Sequence, residues 1–294
     1  MRCEVVITKS GAPAMRDVAS GEVMHPGTGP GVEPKELYVI PSRLRERLSD
    51  PRSGGPRLVL LDVGLGAASN AIAAWRVSES LPRTARRLEI VSFDNDLSAL
   101  ALALEPAHAA SFGLTRTESD AYAAASELLR AGRHETERTV WRLCSGDFPE
   151  RIAAEPAASA DVVYWDFYSA KTHPHLWSVS TLGALRRVCR SGATLHTYST
   201  ATSFRSALLL AGFAVGVGGR TGLRAETTIA AVDVADLAEP LAERWLQRLA
   251  RSTVSFPAEV GLDAAARAEA LARVRACAQF SGASREGSVA TSTR

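Results

Sequence analysis

Between residues 58 and 232 short apolar runs alternate with helical stretches, and this alternation restricts the fold of the 294-residue chain more than any other feature. Residues 58–61 (LVLL), 88–93, 140–144, 162–165 (VVYW) and 193–198 read as strands, with helical patterns at 68–77, 97–104, 120–131, 180–189 and 203–211. Runs that are apolar nearly throughout belong to strands covered on both faces. The pattern therefore predicts an α/β fold, a mostly parallel sheet with helices on both faces. Residues 213–217 and 227–232 follow one another without a helix, which predicts an antiparallel last strand and a seven-stranded sheet.

The flanks differ. Residues 1–56 are rich in Gly and Pro, with short strands expected at 4–8 and 37–40 around the loop "SGEVMHPGTGPGVEPKE". Residues 236–294 predict two amphipathic helices and the polar tail "SGASREGSVATSTR", too small and polar to order itself. The expected organisation is an N-terminal extension acting as a lid (1–56), a ligand-binding domain (57–235) and C-terminal helices (236–294).

An apolar fraction of 46% and a charged fraction of 22% are ordinary for a globular chain, and a net charge of +2 does not call for a polyanionic partner. No apolar run approaches the ~20 residues that span a bilayer. The start of the chain lacks an apolar signal core, so a cytoplasmic location is expected. Cys3, Cys144, Cys189 and Cys277 are scattered, which predicts neither a zinc site nor a disulfide framework. His173 and His175 flank a proline without further ligands, and no metal is expected.

In a doubly wound sheet, ligands bind at the carboxyl ends of the strands. The first strand runs into "DVGLGAAS", with Asp62 followed by Gly64 and Gly66 at the entry to a helix. Such glycines let backbone approach a ligand, although Ser69 stands where the dinucleotide fingerprint wants Gly or Ala. The second strand ends in Asp94, placed to accept ribose hydroxyls; the alternative, a cap on the following helix, is served equally well by Asp94 or Asp96. The third ends in Gly146-Asp147, beside the base of the same nucleoside, and the fourth in Asp166. Four carboxylates would repel a pyrophosphate. They suit a nucleoside that carries positive charge, such as S-adenosyl-L-methionine.

On these residues the chain, from about 21 to 231, resembles the Rossmann-like class I S-adenosylmethionine-dependent methyltransferases. Within them it is similar to the methyltransferase module of the MnmC family, bifunctional tRNA 5-methylaminomethyl-2-thiouridine biosynthesis proteins. "DVGLGAASN", "SFDND" and Gly146-Asp147 match that family's three loops, and "WDFYSAKTHPHLW" resembles its L-D-G-F-A-P-A-K-N-P-x-x-W stretch. Asp166, Ala170, Lys171, Pro174 and Trp177 coincide. Phe167 replaces a glycine, and Tyr168 and Ser169 replace alanine-proline. The resemblance implies S-adenosyl-L-methionine as cofactor and an N-methyltransferase acting on an aminomethyl group of tRNA wobble uridine. It also marks Glu33 as an acid near the donor, with Met24 and His25 in the covering loop.

The candidate catalytic residues are Asp166, Tyr168 and Lys171. An acid at the end of a strand can hold an amine by hydrogen bond and take up its charge, while an aromatic face supports a planar substrate or the developing cation. Lys171 is one of only three lysines among 34 basic residues, the others being Lys9 and Lys35. Tyr198 is placed to reach the substrate or to wedge against the next helix, and Trp177 is expected to pack beneath the loop. Arg43, Arg45, Arg47, Arg52, Arg57, Arg83, Arg86 and Arg87 are available for tRNA phosphates or form a solvated surface. Two further readings stay open: a methyltransferase of a small amine or natural product, and a non-catalytic module that binds the donor.

Overall fold

The computed structural model describes residues 3–24, 29–50, 55–115, 120–219, 226–252, 256–260 and 263–281. β1 (Cys3–Ile7) and β2 (Pro13–Asp17) make an antiparallel hairpin, followed by a single helical turn at Lys35–Val39 and by α1 (Leu44–Ser49). Then come β3 (Arg57–Val63), α2 (Ser69–Glu79), β4 (Arg87–Asp94), α3 (Ser98–Ala103), α4 (Asp120–Ala131), β5 (Arg133–Glu135) and β6 (Thr139–Ser145). The chain continues through α5 (Phe148–Ala154), β7 (Ala160–Trp165), α6 (Val179–Val188), β8 (Cys189–Thr197), α7 (Thr202–Leu210), β9 (Ala214–Gly218) and β10 (Thr227–Ala231). α8 (Glu243–Arg251) and α9 (Ala264–Arg275) follow, and the polar tail from residue 282 lies outside the described residues.

The second sheet has eight strands in the order β5-β6-β4-β3-β7-β8-β10-β9. It is parallel from β6 to β8, and β10 runs antiparallel to both β8 and β9. The strand beyond the expected seven is β5, which pairs antiparallel with β6. Its sequence, RHE, has no apolar signal and forms only because the chain turns back at Gly132 (φ 70°) after α4. Residues 37–40, expected as a strand, form a helical turn instead, with Ile40 N–H donating to Lys35 O at 2.9 Å. Leu37, Tyr38 and Val39 are all buried there, and a run of four apolar residues fits a covered helical turn as well as a strand.

Side chains alternate across each strand. Leu58 and Leu60 of β3, with Val162 and Tyr164 of β7, face a core built by α1 to α4 and the turn at Lys35–Val39. Val59, Leu61, Val63, Val163 and Trp165 face the other core, under α5 to α9. The buried charges are tied into the frame. Asp161 accepts from Val59 N–H (2.8 Å) and lies 3.4 Å from Arg190, while Arg205 donates to Thr228 Oγ1 (2.9 Å) and Thr227 O (3.0 Å) beside β10. Among the described residues no helix is long and apolar enough to cross a membrane.

Candidate active site at the carboxyl ends of the strands

Strand register decides which residues meet. Val63 lies opposite Phe93 and Trp165, and Asp94 opposite Ser145. β3, β4, β6 and β7 therefore end nearly level, and the residues that follow them share one rim. β3 also sits where connections pass to opposite sides, to β4 on one and eventually β7 on the other, which is the switch point of the sheet.

Gly64 has φ 92°, and a Cβ placed on it would lie 2.7 Å from the carbonyl oxygen of Asp166. Only glycine lets the first and fourth loops approach so closely. Gly66 (φ 53°) donates its N–H to Asp94 Oδ2 at 2.9 Å, and Asp96 N–H donates to Oδ1 at 3.0 Å. These bonds orient both oxygens of Asp94. A carboxylate offers about four lone-pair sites, so acceptor capacity remains for two ligand hydroxyls. Burial raises the Asp94 pKa, more than its bonds to Gly66 and Asp96 lower it.

Asp166 is held from three directions. Its N–H donates to Val63 O (2.9 Å), Asn70 Nδ2 donates to its Oδ2 (2.7 Å), and Tyr38 faces it from the other side. Burial, and then the charge of Asp166, push the Tyr38 pKa up, so that hydroxyl stays protonated. Behind Asp166 the loop rests on aromatic rings. Phe167 meets Trp165 at 5.3 Å and Phe148 at 5.5 Å, both edge-on. Tyr198 Oη donates to Phe167 O (3.0 Å) and the buried Trp177 donates Nε1–H to Tyr168 O (2.9 Å). Tyr198 thus lines the cavity while propping the loop, and Trp177 packs beneath it.

A cavity of about 810 Å³ opens on this rim. Gly64, Gly66, Asp94, Gly146, Asp147, Asp166, Tyr168 and Glu33 all line it, as does Met24, whereas His25 lies outside the described residues. Two expected residues do not. Asp62 lies within β3, one residue before its end, and alternation turns it toward the face of Leu58 and Leu60. It is buried and accepts from Ser92 Oγ (2.7 Å), which in turn accepts from Trp141 Nε1–H (2.9 Å), so it ties three strands together. Lys171 is exposed and is not among the cavity residues.

Three acids that the sequence did not assign to the site, Asp17, Glu22 and the cap candidate Asp96, join the lining. Glu22 accepts from Ser169 N–H (2.9 Å), Ser169 Oγ–H and Thr172 Oγ1–H (3.3 Å), clamping the segment after β2 onto the loop after β7. Its partners are about 150 residues away in sequence, so no local pattern signals it. Altogether seven carboxylates line the cavity (Asp17, Glu22, Glu33, Asp94, Asp96, Asp147 and Asp166), and among the described residues no lysine or arginine does. His175 lies 3.7 Å from Asp147 at the mouth. Among the described residues, no group of three or more His, Cys, Asp and Glu is arranged to hold a metal ion.

The arginines lie elsewhere. Arg57 and Arg87 open β3 and β4, at the end of the sheet opposite the cavity, roughly 20 Å away for strands of this length. Arg86 is buried and donates to Gly55 O and Arg57 O (2.8 and 2.7 Å), and Arg47 donates to Gly192 O (2.8 Å). Arg83 pairs with Glu137 and Arg45 with Ser80, while Arg52 lies outside the described residues. Buried Arg86 and half-buried Arg47 are thus tied into the frame, and the exposed members leave both readings of the arginines, phosphate contacts or a solvated surface, open.

Comparison with known proteins agrees with this geometry. Residues 115–233 match a family described as S-adenosyl-L-methionine-dependent methyltransferase. The bifunctional tRNA 5-methylaminomethyl-2-thiouridine biosynthesis protein MnmC of Methylibium petroleiphilum is 29% identical over 256 residues, 86% of this chain and 38% of that protein. The MnmC protein of Delftia acidovorans is 32% identical over 169 residues, 54% of this chain and 25% of its own length. The chain thus spans well under half the length of these relatives. The crystal structure of MNMC2 from Aquifex aeolicus shares the fold, with a TM-score of 0.67 at 24% identity, covering 93% of this chain and 84% of that one. The chain is similar to S-adenosylmethionine-dependent methyltransferases and, among them, to the MnmC proteins.

Proposed function

We propose that this chain is an S-adenosylmethionine-dependent N-methyltransferase whose acceptor is an aminomethyl group on the wobble uridine of tRNA. One observation carries the chemistry: seven carboxylates and, among the described residues, no lysine or arginine line the cavity at the switch point of the sheet. Such a wall disfavours phosphate-bearing cofactors and attracts cations. The glycine loop, a ribose acceptor at Asp94 and this acidic wall fit a sulfonium nucleoside, and about 810 Å³ leaves room for a second small ring. The tRNA acceptor rests on similarity to the MnmC proteins.

When bound, S-adenosylmethionine supplies an electrophilic methyl group. The chain's own part is to place an amine in line with that methyl and to accept a proton. Asp94, with both oxygens aimed by backbone N–H groups, takes the ribose hydroxyls. Gly64 and Gly66 let backbone close on the donor, while Gly146 and Asp147 flank its base. Asp166, fixed by Asn70, holds the neutral amine and takes up its proton after attack. Glu33, buried against the cavity, adds negative potential for the cationic donor. Mass spectrometry of wobble nucleosides from cells lacking this chain tests the assignment. Loss of methylaminomethyl-uridine with accumulation of its aminomethyl precursor is expected, and unchanged levels would remove the tRNA acceptor.

A small amine acceptor is the second reading, favoured by the placement of Arg57 and Arg87 at the end of the sheet away from the cavity. Salt separates the two, because phosphate contacts make tRNA affinity fall steeply with ionic strength.

A further inference from the structure

Tyr168 and His173 stand on the loop after β7, and both line the cavity. Their rings stack nearly parallel, with centroids 6.1 Å apart and an interplanar angle of 21°. Tyr168 Oη and His173 Nδ1 are both buried, and among the described residues neither has a hydrogen-bond partner. A polar atom taken out of water without a partner costs free energy, and folded proteins rarely keep two such atoms side by side. The groups assigned to the donor, namely the glycine loop, Asp94 and Asp147, leave both atoms unused.

Their chemistry narrows what would use them. The Tyr168 hydroxyl keeps its proton, because burial and then the neighbouring Cys3, Asp17, Asp94 and Glu22 push its pKa up, so it is a donor in search of an acceptor. A neutral imidazole nitrogen donates or accepts according to its tautomer. Rings 6.1 Å apart leave no space for a third ring between them, which would need about 7 Å at ordinary contact distances. A ligand therefore meets this pair with its edge. An aliphatic ammonium group would satisfy the acidic wall yet give the Tyr168 hydroxyl no acceptor. A phosphate would supply acceptors but be repelled by the carboxylates. A ring carbonyl beside a ring N–H meets every condition.

We infer that Tyr168 and His173 form a ledge that reads the edge of the methyl acceptor's ring, Tyr168 donating to a ring carbonyl and His173 pairing with the adjoining N–H of a pyrimidine. This rests on the reading of the chain as an amine methyltransferase and names the two residues that select the ring carrying the amine. The pair acts on acceptor selection, not on the donor.

The test uses the full chain saturated with S-adenosylhomocysteine, titrated by calorimetry with 5-aminomethyluridine and, separately, with 1,3-diaminopropane. Tyr168→Phe and His173→Ala should each weaken the nucleoside by about five- to tenfold, the loss of one hydrogen bond. Diamine binding and S-adenosylhomocysteine affinity should stay within about twofold. The ledge is rejected if the wild type does not bind the nucleoside at millimolar concentration, or if both variants bind it as tightly. It is equally rejected if the conservative Tyr168→Phe change lowers S-adenosylhomocysteine affinity, since the tyrosine then serves the donor. A wild type that binds the nucleoside through these residues but never methylates tRNA would overturn the tRNA assignment and leave the ledge standing.

Discussion

At the scale of single residues, Asp94 and Asp166 stand at the carboxyl ends of β4 and β7, on either side of β3, but are held differently, and they should fail differently. Asp94 is aimed by Gly66 and Asp96 toward hydroxyl donors, whereas Asp166 is pinned by Asn70. Asp94→Asn loses charge-assisted bonds worth roughly 1.5–3 kcal/mol, so S-adenosylhomocysteine affinity by calorimetry should fall about tenfold or more. Asp166→Asn should leave that affinity nearly unchanged and lower turnover by about a hundredfold or more. Protonation of Asp94 removes its charged acceptor, and burial raises its pKa. Donor affinity should therefore fall on acidification at a higher pH than an ordinary carboxylate would set. Asp94 and Asp166 were legible because each closes an apolar run, and Gly64 because a strand-to-helix turn selects it. Asp62 misled for the same reason: it closes an apolar run in sequence, but one more residue, Val63, still belongs to the strand.

At the scale of elements, the segment after β2 and the loop after β7 behave as one unit through Glu22. Glu22→Ala should free the Ser169 amide, and its hydrogen exchange should speed up by about tenfold or more while exchange in β3 and β4 stays as it was. Acceptor KM should rise, with the melting temperature changed little, since the clamp lies outside both cores. The elements themselves were readable to different degrees. Strands β3, β4 and β7 announce themselves because burial on both faces demands apolar residues almost throughout. β5 and α5 did not, being only three and seven residues long, and α5 buries just Phe148 and Ile152. β2 begins with Pro13 and includes Arg16 and Asp17, so its pairing with β1 depends on the hairpin and not on any pattern of its own. The clamp, like the Asn70–Asp166 bond, joins residues about a hundred or more apart in sequence, where no periodicity reaches.

At the scale of the molecule, acid stability should carry the mark of His196. It is buried on β8, edge-on to Tyr164, and burial, then Arg47, push its pKa down to about 3. In the unfolded chain it titrates near 6.5, so between these values the unfolded state binds the extra proton. Stability is thus fully present above about pH 6.5 and is lost as pH falls, by up to roughly 1.4 kcal/mol per unit. Urea melts at about pH 7.5 and 5.5 should differ by on the order of 1 kcal/mol from this group, and His196→Asn should flatten the difference. The whole-molecule charge map also bears on function, since the cavity wall is acidic and the arginines at the start of β3 and β4 lie at the far end of the sheet. The direct measurement is methyl transfer itself: purified chain, methyl-labelled S-adenosylmethionine and tRNA bearing 5-aminomethyl-2-thiouridine, with nucleosides resolved by mass spectrometry. Label should appear in the wobble nucleoside as one added methyl group and be nearly abolished by Asp166→Asn. Label absent from that nucleoside, with the donor demonstrably bound, would contradict the account.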